Sequence, residues 1–294
     1  LILESDPMKF TPRSVAIIVA AVLIIPMDAQ EPVFDASRGI SSLQLESKFQ
    51  AGPALVEILQ PDKVEASRKY PVLYILPVGG PNGEFGDGLA EAKKLDIANQ
   101  YGIICVQPFF TKVPWYGNHA TDSQIQQERY VVEVLVPYID SHLPTSATSE
   151  GRWLIGFSKS GWGAFTLMAR HPDVFGYAAA WDAPFMIQGD PSSKDWGPMG
   201  IKSVFGTPDA LRAFLPTRLV AERASGISDG KRLVIGPGKA WLGQVRRFHE
   251  LLEKSAVPHV YRDDAVFAHR WDSGWFPEFV AELVKLSRER QSAK

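Results

Sequence analysis

A chain of 294 residues that is 45% hydrophobic carries enough apolar side chain to bury a substantial core, and its length suits one large α/β domain or two small ones. With 31 Lys and Arg against 33 Asp and Glu, a net charge of −2 and no basic block or aromatic-interleaved lysine run, it offers a nucleic-acid partner no electrostatic footing. A single cysteine, Cys105, excludes an intramolecular disulfide, and no His, Cys or carboxylate cluster has metal-ligand spacing, so neither metal nor cofactor is implied.

The first segment reads as a targeting signal. Met8 is followed by a short basic region (Lys9, Arg13), an apolar run from Val15 to Ile25, and Pro26-Met-Asp-Ala29. That is the layout of a secretory signal peptide over residues 8–29, cleaved near Ala29, and the mature protein is expected to be secreted or periplasmic. The apolar run is short for a bilayer span, so no stable membrane insertion is expected after cleavage; an uncleaved anchor is the alternative. Residues 1–7 read as upstream of the natural start.

Beyond the signal, Ser42 to Phe49 and Ala54 to Leu59 alternate polar with apolar residues, as an antiparallel pair at a sheet edge does. Pro71 to Leu76 and Gly102 to Val106 are continuous apolar runs of the kind buried on both faces of a parallel sheet, and Leu89 to Gln100 between them has helical texture, giving a βαβ unit. Pro114-Trp-Tyr-Gly-Asn-His119 follows as a loop, and Trp115 and Tyr116 in it are candidates to line a substrate cleft. Ile125, Val132, Leu135, Val136, Ile139 and Leu143 then recur at helical spacing.

The stretch Arg152-Trp-Leu-Ile-Gly-Phe-Ser158-Lys-Ser-Gly-Trp-Gly-Ala164 reads as a buried strand, a sharp turn and the start of a helix that Pro172 stops. A serine in such a corner presents its hydroxyl above the sheet edge, and the pattern G-x-S-x-G keeps small residues on either side of it. Here the second glycine is replaced by Ser160. Taking Ser160 as the nucleophile instead would put Trp162 two residues on, where an indole crowds the corner, so Ser158 is the candidate. Strand and helix continue to alternate. Tyr177 to Trp181 is a strand, residues 182–230 are irregular with a helical piece around Pro208 to Glu222, and Arg232 to Ile235 is a strand before a helix carrying Leu242, Val245, Phe248 and Leu252. A last strand, His259 to Arg262, precedes a loop and a closing helix with Phe276, Phe279, Val280 and Leu283. The expected fold class is α/β, a mostly parallel central sheet with helices on both faces, spanning residues 40–290.

With the elbow and the strand order in place, the sequence resembles an α/β-hydrolase of the esterase D and feruloyl-esterase-like group over roughly residues 40–288. The points of contact are Tyr70-Pro-Val-Leu-Tyr-Ile-Leu76 ahead of a glycine-rich loop, Gly156 to Ala164, His171-Pro-Asp-Val-Phe175, and His269-Arg-Trp271 with Trp275. Members of the group usually show histidine-glycine where this chain has Pro77-Val-Gly-Gly80. The resemblance implies the α/β-hydrolase fold and a serine carboxylic-ester hydrolase acting on small-molecule or saccharide esters through an acyl-enzyme. An acyltransferase of the same fold and a catalytically degenerate binding protein are the alternatives. It also implies the order serine, acid, histidine along the chain, which places the base at His269, in the loop after the last strand; His119 competes because its loop should overhang the same pocket. The acid is Asp182, with Asp190 and Asp263 in reserve, since Gly236 to Gly243 holds no carboxylate. The oxyanion donors are the N–H of Lys159 and that of Val78 or Gly79, Pro77 having none. Trp271, with Phe185 and Trp275, completes the aromatic candidates for the cleft. The sequence does not set the oligomeric state.

Overall fold

The computed structural model describes residues 31–292 apart from 66, 81–82, 84, 189–191, 193–195, 198 and 264–266. The expected signal segment, residues 8–29, and the reserve acid Asp190 lie outside the described residues. Among those described, the strands are β1 (Val33–Asp35), β2 (Ile40–Leu45), β3 (Ala54–Leu59), β4 (Val72–Ile75), β5 (Ile104–Pro108), β6 (Arg152–Phe157), β7 (Tyr177–Trp181), β8 (Leu233–Gly236) and β9 (His259–Tyr261). They form one sheet in the order β1-β2-β3-β5-β4-β6-β7-β8-β9. β1, β2 and β3 pair antiparallel, β3 pairs antiparallel with β5, and the six strands from β5 to β9 run parallel.

The two kinds of strand follow the two kinds of sequence pattern. β4 is buried at every position because it is covered on both faces. Val72, Tyr74 and Leu76 enter one apolar cluster and Leu73 and Ile75 the other, the period of two that a strand imposes. β2 ends at Leu45, short of the expected Phe49, because the Ser47 hydroxyl accepts the Phe49 N–H and turns the chain.

The helices are α1 (Gly88–Lys94), α2 (Ile97–Tyr101), α3 (Gln127–Tyr130), α4 (Val136–His142), α5 (Lys159–Arg170), α6 (Ile201–Phe205), α7 (Pro208–Arg212), α8 (Pro216–Arg223), α9 (Leu242–Lys254) and α10 (Trp275–Ser292). The helix expected from Leu89 to Gln100 is two, broken at Asp96, whose φ is 54°. α3 and α4 are joined without interruption by a π-helical turn, Val131–Leu135, in which Val136 N–H reaches back to Val131 O. Pro137 follows at once; it has no N–H and its ring crowds the carbonyl one turn back, so a widened turn accommodates it. α3, α4, α5, α8 and α9 cover one face of the sheet and α1, α2 and α10 the other. α6 and α7 belong to a third cluster, built around Trp115, Trp162, Phe205, Leu211 and Phe214, which sits over the start of α5.

From β4 the chain crosses to β5 on one side and then returns past β4 to β6 on the other. Neighbouring crossovers that part in this way leave a crevice at the carboxyl ends of the strands, where ligands bind in open α/β sheets. The loop after β4 begins at Leu76 and Pro77, and the turn after β6 holds Ser158.

Candidate active site

Ser158 stands between β6 and α5 with φ 53° and ψ −132°, a backbone conformation that side-chain-bearing residues rarely adopt. The corner is tight: a Cβ on Gly156 would lie 2.5 Å from the backbone carbon and oxygen of Ser160. Ser160, in the place of the pattern's second glycine, is fully buried, and its Oγ accepts the Phe157 N–H at 3.0 Å and donates to Phe157 O at 2.8 Å. Its hydroxyl is committed to the backbone of the turn. Ser158 keeps 7% exposure, and its own N–H donates to Trp181 O and Asp182 O at 3.2 and 3.1 Å, tying the elbow to the end of β7.

Asp182 leaves β7 with φ 41° and has no exposed surface. Buried carboxylates need several donors, and three converge here. Oδ1 accepts the Trp241 N–H at 2.7 Å, Oδ2 accepts the Ala240 N–H at 3.1 Å, and Oδ2 lies 2.7 Å from His269 Nδ1. A carboxylate only accepts, so His269 Nδ1 carries the proton and Nε2 is the basic nitrogen. The loop after β8 thus holds no carboxylate of its own but supplies two backbone donors to one from β7. His269 is wedged against aromatic rings, 4.9 Å from Phe157 and 5.6 Å from Phe85, both edge to face. Ser158 Oγ makes no hydrogen bond to a described residue; serine–imidazole contacts in free enzymes are often long and shorten when substrate binds.

Beside the elbow, a cleft of about 220 Å³ is lined by Pro77, Val78, Gly79, Gln107, Lys159 and Trp271 among others. It brings together the three candidate oxyanion residues, Val78, Gly79 and Lys159, and one of the five aromatic candidates, Trp271. Trp271, 2% exposed, also donates its N–H to Phe85 O, joining the loop of His269 to the glycine-rich loop. A larger hollow of about 460 Å³ lies between the β1–β3 edge and α1–α2 and is lined by no residue of this cluster.

The aromatic loop is placed differently from expectation. Trp115 and Tyr116 are fully buried rather than overhanging the cleft. Trp115 packs edge to face on Trp162 and donates its Nε1–H to Met199 O. Tyr116 packs against Phe110. The cause is Gln127, fully buried on α3, whose Oε1 accepts both the Trp115 and the Tyr116 N–H and pulls the loop inward. Phe185 is buried against Phe165 and Phe248, and Trp275 stacks on Trp181 at 4.9 Å. His119 caps a turn, its Nδ1 accepting the N–H groups of Thr121 and Asp122. Asp263 is exposed and makes no hydrogen bond to His269. Sequence reasoning did not single out Phe157, Phe85 or the Ala240 and Trp241 N–H groups; an N–H donor has no side-chain signature, and an apolar residue beside a serine looks like any strand residue.

Esterase MT1326 of Mycobacterium tuberculosis (strain CDC 1551 / Oshkosh) is 27% identical over 236 residues, covering 69% of this chain and 50% of that protein. The chain spans about half the length of the curated relatives it matches. A ferulic acid esterase superposes with a TM-score of 0.65 at 19% identity, covering 85% of this chain and 97% of that one. The S-formylglutathione hydrolase of Agrobacterium tumefaciens superposes with a TM-score of 0.66 at 19% identity, covering 88% and 99%. These structural likenesses carry the fold, that of the α/β-hydrolases. The family model described as Putative esterase matches residues 51–286, a span that takes in β3, the elbow and the whole Asp182–His269 cluster, and the chain belongs to that esterase family.

Proposed function

We propose that the protein hydrolyses carboxylic esters through an acyl-enzyme on Ser158. The observation that carries this reading is the fully buried Asp182 carboxylate, braced by two backbone N–H groups and 2.7 Å from His269 Nδ1, one loop away from a serine in a strained elbow. His269 Nε2 takes the Ser158 proton as Oγ attacks the ester carbonyl carbon, and Asp182 stabilises the imidazolium that results. The tetrahedral oxyanion accepts the Lys159 N–H and a second N–H from the loop after β4. Collapse expels the alcohol, which leaves with the proton from His269. Water then repeats the sequence on the acyl-enzyme and releases the acid. The substrate class proposed is small-molecule or saccharide esters, in keeping with a small cleft walled by glycine and aromatic residues.

Reaction with a fluorophosphonate probe and with a panel of chromogenic acyl esters and feruloyl sugars tests the reading. Ser158→Ala should fold, lose labelling, and lose turnover on the order of a thousandfold or more. A folded Ser158→Ala variant that still turns over at the wild-type rate refutes it, and product analysis with an added sugar acceptor separates hydrolysis from acyl transfer. Secretion is proposed from Lys9, Arg13 and the Val15 to Ile25 run. Expressed from Met8 in a bacterial host, the protein should be recovered outside the cytoplasm with an N-terminus near Gln30; an intact N-terminus in the cytosol would count against it.

A further inference from the structure

We infer that Tyr116 is the positioning residue for the second oxyanion donor, and that this donor is the N–H of Val78 rather than that of Gly79. The inference rests on the ester hydrolysis proposed at Ser158. The Tyr116 hydroxyl donates to the Pro77 carbonyl oxygen at 2.5 Å. Pro77 C=O and Val78 N–H belong to one peptide unit, planar and trans, in which the two groups point in opposite directions. Holding the carbonyl on Tyr116 therefore fixes the Val78 N–H, directed away from the tyrosine.

That N–H has no acceptor among the described residues, although Val78 is only 5% exposed and lines the cleft with Lys159. Buried N–H groups without a partner are rare because each costs about what a lost hydrogen bond costs. An oxygen acquiring negative charge in the cleft is the partner such a donor suits. The Gly79 N–H belongs to the next peptide unit, and its carbonyl, Val78 O, receives no hydrogen bond among the described residues, so its direction is not held in this way.

Tyr116 is itself over-determined. Its φ is 53°, costly for an aromatic residue, and is held by the Gln127 Oε1 that accepts its N–H at 2.8 Å while Gln127 Nε2 donates to Val113 O at 3.0 Å. The ring lies over Gly163, where any Cβ would overlap it. Gly163 is on α5, the helix that begins directly after Ser158. Nucleophile, Lys159 N–H and Val78 N–H are thus held to one another through a single buried ring. Burial also keeps the phenol well above its ordinary range, so it stays protonated and donating at working pH.

The test is Tyr116→Phe, which keeps the ring on Gly163 and Phe110 and removes only the hydroxyl. Stopped-flow phosphonylation by a fluorophosphonate gives two numbers, an amplitude that counts folded sites and a rate that reports transition-state stabilisation. With the amplitude preserved, the rate and kcat should each fall about tenfold to a hundredfold, and affinity for a boronic acid should fall in parallel, while KM stays within about twofold. A hydroxyl that only satisfies the buried Pro77 carbonyl would lower amplitude or melting temperature and leave the per-site rate unchanged. A per-site rate and kcat within twofold of wild type overturn the assignment, and since the rate is normalised to amplitude, partial misfolding cannot mask the result. A wild type whose serine does not react overturns the Ser158 reading and this one together; a reactive wild type with an unaltered Tyr116→Phe overturns this one alone.

Discussion

The pairing of Asp182 with His269 follows the chain order that the family resemblance implies: the loop after β8 holds no carboxylate, and Asp182 ends the strand before it. The backbone at Ala240 and Trp241, where that loop starts α9, supplies the charge with two donors. The carboxylate keeps its place through those N–H groups, so changing it to an amide should disturb function more than fold. Asp182→Asn presents an NH₂ or a neutral oxygen to His269 Nδ1, favouring the wrong tautomer and removing the charge that stabilises the imidazolium. We expect kcat to fall by about a thousandfold to ten-thousandfold, with KM changing far less. Steady-state kinetics on the folded variant at neutral pH check it, and near-wild-type turnover would remove Asp182 from the site. Tyr116, by contrast, was misread. A Pro-Trp-Tyr-Gly composition looks like an exposed loop, and what buries it is one glutamine amide eleven residues on and a carbonyl 39 residues back, neither of which local composition encodes.

Among the elements, those read best were the ones whose pattern is set by full burial. β4 and β5 fall within or beside their apolar runs, because a strand covered on both faces needs apolar residues along it, while β3 has the expected bounds from its alternation. The helical insertion between β7 and β8 was read least well. Its helices are five to eight residues long, too short for a 3.6-residue period to emerge, and two begin with proline, Pro208 and Pro216, which marks a start but gives no face. They are specified from outside, by the Trp115 and Trp162 indoles on which Phe205 and its neighbours pack. The same dependence explains Trp162, the indole that argued against Ser160 as the nucleophile because it would stand two residues on. The turn tolerates the indole because it points out of the elbow into this third cluster, so that α5 presents one face to the sheet and another to the insertion.

At the scale of the whole molecule, the insertion is tied to the sheet-covering helices by a buried ionic cluster away from the proposed chemistry. Glu128 on α3, 3% exposed, accepts from Arg170 Nε at 2.5 Å, His171 Nε2 at 2.7 Å and Asn118 Nδ2 at 2.7 Å. Arg170, at the end of α5, reaches on to Ala213 O at 2.8 Å and lies 4.1 Å above the Phe214 ring, beyond α7. Burial alone would raise the Glu128 pKa; the hydrogen bonds from His171 and Arg170, with their charges, outweigh it and hold the carboxyl below its usual 4.5. A carboxylate whose pKa is depressed on folding stabilises the fold fully above its unfolded value, and that stability is lost as pH falls through the folded one, because the unfolded chain takes up the proton first. Glu128→Gln keeps an acceptor but leaves Arg170 without its counter-charge. At pH 7 the variant should be less stable by about 2–3 kcal/mol. As the pH falls below the usual 4.5 and on through the depressed folded value, the wild type loses this contribution by protonation while the variant has none to lose, so the gap should narrow as pH falls. Urea unfolding of both proteins at pH 7, 5 and 3.5 measures it. A gap that stays constant across that range would show that the cluster acts through packing alone, with no part played by the charge on Glu128.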